Sequence, residues 1–252
     1  MIIDAHAHVS PTSYGSTARY MDLLRQSGID QAVICPGGMI DVRRMNDYIV
    51  GVKRPDEAPP NDYVLQSVEN NPILDGVACV NPCDPQSVDS LDRCLKKGLR
   101  GLMVSPLVHK FKFLDDRMTE LATLCGERGV PIISHNAWRE GANTAEYVAL
   151  ARRCPRTSFI LEHMGAAPAD MEATAAAADM DNFFLETSLG NFMHIQETVK
   201  KAGASKVIFG SEYPLSHPAV ELKKILLLEI TEREREKILG ENIRDLMRLE
   251  SA

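Results

Sequence analysis

Short runs rich in Val, Ile, Leu and Phe recur along the chain at residues 1–5, 31–35, 74–81, 101–105, 131–134, 158–162, 183–187 and 206–210. Each is apolar throughout rather than alternating, which is the pattern of a strand covered on both faces. Amphipathic or small-residue stretches lie between and after them, at 17–26, 61–70, 87–97, 116–128, 144–153, 168–178, 196–202, 219–228 and 232–248. Gly28, Pro72, Gly98, Gly129, Pro131, Pro155 and Gly203 mark the helix-to-strand joins, where the chain must turn back into the sheet. Eight strands, each followed by a helix, predict an α/β fold: one (β/α)8 TIM barrel over residues 1–252, finished by C-terminal helices. The rival, an open doubly wound sheet, lacks its glycine-rich phosphate loop after the first strand. The irregular stretch 51–61 reads as a surface loop able to cover the barrel mouth.

Composition narrows the function. A hydrophobic content of 44% with 25% charged residues suits a globular protein with a sizeable core. The net charge of −7 and pI near 5.5 argue against nucleic acid or an anionic membrane as partner, which leaves a small-molecule substrate. The six cysteines show neither a disulfide framework nor a paired zinc-ribbon spacing, so buried free thiols are expected. With no secretory signal and no run of ~20 apolar residues, a cytoplasmic location is expected. A homo-oligomer is compatible with the sequence and not specified by it.

All seven histidines fall at predicted strand ends or in the loops just after them, and none inside a predicted helix. In Asp4-Ala5-His6-Ala7-His8 the two imidazoles are two residues apart, so in extended backbone they share a face and can hold one metal ion. Polar residues end other apolar strands too: His135 after Ile132-Ile133-Ser134, Glu162-His163 after Phe159-Ile160-Leu161, and Glu212 after Phe209-Gly210-Ser211. In a barrel of this type the active site forms at those C-terminal strand ends. Several imidazoles plus a carboxylate suit one divalent metal, zinc best, with manganese, iron or nickel less selectively. Such an ion brings the pKa of a bound water to about 7.

Taken in order, the His-x-His opening, His135, Leu161-Glu162-His163-Met164-Gly165, Phe209-Gly210-Ser211-Glu212-Tyr213-Pro214 and Ile238-Leu239-Gly240-Glu241-Asn242-Ile243 resemble the amidohydrolase superfamily. The resemblance is to the branch that contains aminocarboxymuconate-semialdehyde and resorcylate decarboxylases alongside many hydrolases. It implies His6, His8 and His135 as metal ligands, His163 as the residue that activates substrate or binds a second ion, and Glu212 at the place of the strand 8 acid. That acid is normally aspartate, so Glu212 is expected as ligand, as base, or as both. Binuclear members carry a carbamylated lysine on strand 4, but Gly101-Leu102-Met103-Val104-Ser105-Pro106 has none, which implies a single metal.

Other residues carry weaker signals. Trp138 and Arg139 follow His135 and could bind a planar, anionic substrate, or could be loop packing and a solvated charge. Asp4 could orient a ligand imidazole or be capped by backbone amides. Glu186 reads as a buried acid partner of the site or as a salt bridge across the barrel mouth. His109, His194 and His217 are expected on the surface or outside the ligand set, and Lys110 and Lys112 in solvent. The expected activity is metal-dependent hydrolysis of an amide, cyclic amide, lactone or ester, with Glu212 and His163 catalytic. The alternatives are a non-oxidative decarboxylase built on the same site and a silent barrel that only binds.

Overall fold

The computed structural model describes residues 1–250. Its strands are β1 (Ile3–Val9), β2 (Gln31–Pro36), β3 (Leu74–Gly76), β4 (Ala78–Cys79), β5 (Leu102–Val104), β6 (Ile132–Ser134), β7 (Phe159–Leu161), β8 (Phe183–Glu186) and β9 (Val207–Ile208). All pair in parallel, in the orders β1-β2-β3 and β4-β5-β6-β7-β8-β9. The predicted strand 74–81 is split at Val77 into β3 and β4, and the chain carries on as one stave. Val77 N still donates to Ile34 O on one side, and Ala78 N to Gly101 O on the other. Ala5 N donates to Phe209 O at 3.0 Å and Ala7 bridges Tyr213 in parallel, which brings the last stave back to the first. The eight staves form the expected TIM barrel.

Two apolar layers hold it. Outward residues such as Ala32, Ile34, Leu102, Ile132, Phe159, Leu185 and Val207 pack against the surrounding helices. Inward residues such as Ile3, Val33, Val77, Met103, Ile133, Ile160 and Ile208 fill the barrel and meet Ile243 and Met247 of the C-terminal helix, which plugs the barrel floor. The predicted helix 232–248 contains a π-helical turn at Lys237–Glu241, and Ile238 O accepts from Phe209 N, tying the plug to the last stave.

Helices follow the predicted stretches with shifted ends. The predicted 196–202 begins earlier, at Phe192, because the Asn191 side chain accepts from Met193 N and His194 N and so starts the helix there. His194 therefore sits inside a helix, contrary to the sequence expectation, and its ring bonds Thr174 Oγ1. His194 and His109 are both buried, whereas His217 caps the helix Pro218–Leu226. The loop expected to cover the mouth is also corrected. No residue of 51–61 lines the central cavity; the segment after β2, with Met39, Ile40, Val42 and Met45, does so instead. All six cysteines are free, but Cys83 is exposed rather than buried.

Candidate active site

Simple alternation along β1 would put Ile3 and Ala5 inside the barrel and His6 and His8 outside. A bulge reverses this. Asp4 pairs with Ala32 and Ala7 with Ile34, so β1 holds one residue more than its partner between these points. Before the bulge Ile3 and Ala5 point into the barrel, and after it Ala7 and Val9 pack outward against the helices. His6 and His8 are thereby turned inward, with their Nε2 atoms 3.0 Å apart. Gly210 makes room for this, because a Cβ there would collide with Glu186 Oε1 and lie 2.8 Å from the His6 Cβ.

Four imidazoles face the mouth, and each has its Nδ1 fixed by the protein. His6 Nδ1 lies 3.1 Å from Glu186 Oε2, His8 Nδ1 3.2 Å from Pro36 O, His135 Nδ1 2.9 Å from Asn136 O and His163 Nδ1 3.2 Å from Ser188 O. Because those partners only accept, each Nδ1 carries a proton, and Nε2 is the nitrogen each ring turns toward the cluster. Two carboxylates close the set. Glu212 Oε2 is 2.9 Å from His6 Nε2, 3.7 Å from His8 Nε2 and 4.0 Å from His163 Nε2; Glu162 Oε1 is 3.3 Å from His6 Nε2. Glu162 Oε1 and Glu212 Oε2 are nonetheless buried without a hydrogen-bond partner. Acceptors crowded together without donors repel one another unless a positive charge lies among them.

The electrostatics say the same. Burial alone would push the His6 pKa down, but Glu162 and Glu212 hold it well above its usual range. Burial opposes ionisation of Glu212 as well, yet His6, His8 and His163 bring its carboxyl below the usual carboxylate range. Glu162 goes the other way, with burial pushing it up to about 7. Burial lowers His8, and lowers His135 to about 4, so both imidazoles are neutral at ordinary pH. Glu186 is held below the usual range by its His6 hydrogen bond, despite burial.

The expected residues are thus partly assembled. His6, His8 and Glu212 offer ligand atoms that all lie within 4.8 Å of one another. His135 lines the same cavity but lies outside that group, with its Nε2 2.8 Å from Ser105 Oγ. His163 stands at the rim of the cluster in left-handed backbone, at φ 61°. Glu212 is also left-handed, at φ 55°, and strain of this kind concentrates at functional sites. Trp138 lines the cavity and is 84% exposed, whereas Arg139 lies outside the lining and donates to Phe111 O and Pro106 O. Asp4 touches no imidazole. Its carboxylate accepts from His6 N, Ser211 N and the Tyr20 hydroxyl.

Glu162 is the residue the sequence reading left without a role. Its signal was a carboxylate directly preceding His163 at the end of an otherwise apolar strand. Above the cluster lies a cavity of about 330 Å3, walled by Met39, Ile40, Val42, Met45, Leu189 and Leu215. Among the described residues no lysine or arginine lines it.

The family model described as Amidohydrolase matches residues 3–249. The chain belongs to the amidohydrolase family. It is an enzyme of that type, and members of the superfamily bind a divalent metal. Among solved structures, an uncharacterised TIM-barrel protein from Bordetella bronchiseptica has a TM-score of 0.79 at 16% identity, covering 98% of each chain. A dihydroxybenzoic acid decarboxylase from Polaromonas sp. JS666, with bound manganese and the inhibitor 2-nitroresorcinol, has a TM-score of 0.73 at 18% identity, covering 100% of this chain and 98% of its own. A probable 2-pyrone-4,6-dicarboxylic acid hydrolase from Acinetobacter baumannii, with citric acid bound, has a TM-score of 0.71 at 14% identity, covering 98% of this chain and 99% of its own. At these identities the likeness establishes the fold. No curated protein matches the sequence. No helix among the described residues is long and apolar enough to cross a membrane.

The residues present fit a divalent ion. The converging Nε2 atoms of His6 and His8 and the unpartnered Glu212 Oε2 could hold such an ion beside the cavity that His8 and Glu212 line. Glu186, on the far nitrogen of His6, fixes that ring from behind.

Proposed function

We propose that residues 1–252 form one catalytic unit, a metal-dependent hydrolase that cleaves a C–N or C–O bond of a neutral, largely apolar amide, cyclic amide, lactone or ester. The observation that carries this reading is a cluster of converging imidazole nitrogens and unpartnered carboxylate oxygens at the floor of an apolar cavity lined by no lysine or arginine among the described residues. His6, His8 and Glu212 hold the ion; zinc suits two imidazoles and a carboxylate best, and manganese, iron or nickel are the alternatives. When bound, the ion polarises the substrate carbonyl and acidifies water.

The chain's own groups handle the protons. His163, tied through Nδ1 to Ser188, presents Nε2 as an acceptor for the proton of the attacking water. Glu162, protonated near neutrality, delivers a proton from its unpartnered carboxyl to the departing nitrogen or oxygen. Two carboxyls driven in opposite directions by their surroundings divide the work in this way, Glu212 staying ionised and Glu162 exchanging its proton. Trp138 and the methionine-rich segment wall the substrate, while Arg139 is taken up by backbone carbonyls.

Loss of carbon dioxide from an aromatic carboxylate is the second reading. It is supported by the fold shared with a dihydroxybenzoic acid decarboxylase and by Glu162 as a proton donor to a ring carbon. The absence of lysine and arginine from the described cavity lining weighs toward the neutral substrate.

The deciding experiment supplies the purified, metal-analysed protein with neutral lactones, esters and amides, and in parallel with dihydroxybenzoates. Hydrolysis of a neutral compound that depends on metal is the expected result. Carbon dioxide release from a benzoate would replace it with the second reading, and a metal-free protein that turns over neither would leave a binding barrel.

A further inference from the structure

One peptide group joins His163 to a carboxylate that the site does not otherwise use. The carbonyl of Ser188 lies 3.2 Å from His163 Nδ1, and the N–H of the same peptide, carried by Leu189, donates to Glu221 Oε2 at 3.0 Å. His163 Nδ1 is shared with Ser188 Oγ at 3.0 Å, and that hydroxyl donates to Glu186 Oε2 at 2.7 Å. The imidazole proton thus leads through Ser188 to two buried carboxylates, by the hydroxyl to Glu186 and by the peptide to Glu221.

Glu221 belongs to the helix Pro218–Leu226, is 4% exposed and does not line the cavity. Its other oxygen accepts from Ser216 Oγ at 2.7 Å, and Lys224 pairs with it while donating to Gly190 O at 2.9 Å. The helix start does not call for this acid, because His217 Nδ1 already accepts from Ala219 N. Burying a carboxylate costs stability unless bonds offset it, and here they run to the backbone of two consecutive loop residues after β8, Leu189 and Gly190. Leu189 is left-handed, at φ 55°, while its side chain stays 45% exposed, so apolar burial does not hold this turn. Glu221 and Lys224 hold it from the helix side. On the other side Gly190 packs so closely that a Cβ would lie 2.7 Å from Cγ of Met164, the residue after His163.

We infer, resting on the role proposed for His163, that Glu221 is a positioning residue for that imidazole: through the Ser188–Leu189 peptide it fixes the carbonyl that holds the Nδ1 proton, and so keeps Nε2 aimed at the attacking water. Hydrogen bonds in series polarise one another, so the carboxylate also makes that carbonyl a stronger acceptor. Lys224 keeps the carboxylate and the Gly190 carbonyl in place. Without the Glu221 charge the peptide can turn and the ring loses one of its two Nδ1 partners, while the proposed metal ligands keep theirs.

The kinetic test uses the zinc-loaded protein and dihydrocoumarin, a neutral aromatic lactone. Glu221→Gln is expected to lower kcat by about tenfold, with KM within about twofold and zinc stoichiometry unchanged. His163→Ala is expected to lower kcat by about 10²-fold or more, and adding Glu221→Gln to it should change kcat by less than about twofold. The same tenfold loss in both backgrounds would overturn the inference, because Glu221 would then act other than through His163. Loss of zinc in Glu221→Gln, or full turnover by His163→Ala, would overturn it as well.

Nuclear magnetic resonance supplies a readout that needs no substrate. In the parent protein, scalar couplings across the two hydrogen bonds are expected, from Leu189 N to the Glu221 carboxyl carbon and from His163 Nδ1 to the Ser188 carbonyl carbon. In Glu221→Gln the His163 Nδ1 proton is expected to shift upfield and exchange faster with water. A missing Leu189–Glu221 coupling, or a His163 proton indifferent to the substitution, would overturn the inference even if the variant failed to fold well enough for kinetics. Failure of the parent to hydrolyse dihydrocoumarin would count against the hydrolase reading alone, and the resonances would then decide the link between Glu221 and His163.

Discussion

The two ends of the barrel obey different rules. At the floor, Ile3, Val33, Val77, Ile133, Ile160 and Ile208 meet Ile243 and Met247 in an apolar layer. At the mouth, a few residues along the same staves, the chain buries Glu162, Glu186 and Glu212, bulges β1, and holds His163 and Glu212 in left-handed backbone. None of these choices improves packing. The floor stabilises the fold, and the mouth spends part of that stability on holding charge and lone pairs in a dry place.

If that division is right, damage at one end should leave the other untouched. The largest effect is expected from His6→Ala or His8→Ala: metal falls to background in elemental analysis and turnover by about 10³-fold or more, with the thermal transition of the metal-free protein changed little. A variant that still binds one full equivalent would break the comparison at its strongest point. Ile243→Ala attacks the floor. Deleting that buried side chain should cost about 2–5 kcal/mol in denaturant unfolding while metal stoichiometry is unchanged.

Glu186→Gln probes the support behind His6. Loss of the charged acceptor at Nδ1 is expected to weaken metal affinity by about 10–100-fold in competition titrations, with little change in unfolding midpoint of the loaded protein. If affinity were unchanged, Glu186 would belong with the floor as a structural residue. The smallest effect is expected at the rim, where Trp138→Ala should raise KM by about 3–10-fold through lost apolar contact and leave kcat within about twofold. A fall in kcat alone would place the indole closer to the chemistry than its 84% exposure suggests.

Legibility of the chain followed the same division. The eight apolar runs named every stave, since a strand covered on both faces must be apolar throughout and glycine or proline marks most of the helix-to-strand joins. His6 and His8 stand out by spacing, and His135, His163 and Glu212 by ending apolar strands, while the resemblance gives each of them a role. Their arrangement was less accessible. Glu162 looked like a neighbour of His163 until its carboxyl was found next to His6 Nε2. Ser188, which bonds both Glu186 and His163, sits in a loop with no pattern to mark it. His194 was misplaced because the helix start depends on the Asn191 cap, a local hydrogen bond that outweighs a weak periodic signal.

From the chain alone came the barrel, the acidic surface and the stock of metal-binding side chains, since hydrophobic period and residue type act locally and survive without a partner. Only the tertiary structure decided which way those side chains point. A single extra residue in β1, visible only against the register of β2, turns His6 and His8 from the helix layer into the barrel. Likewise, the contact between His135 Nε2 and Ser105 Oγ joins two staves at residues thirty positions apart in sequence and 2.8 Å apart in space.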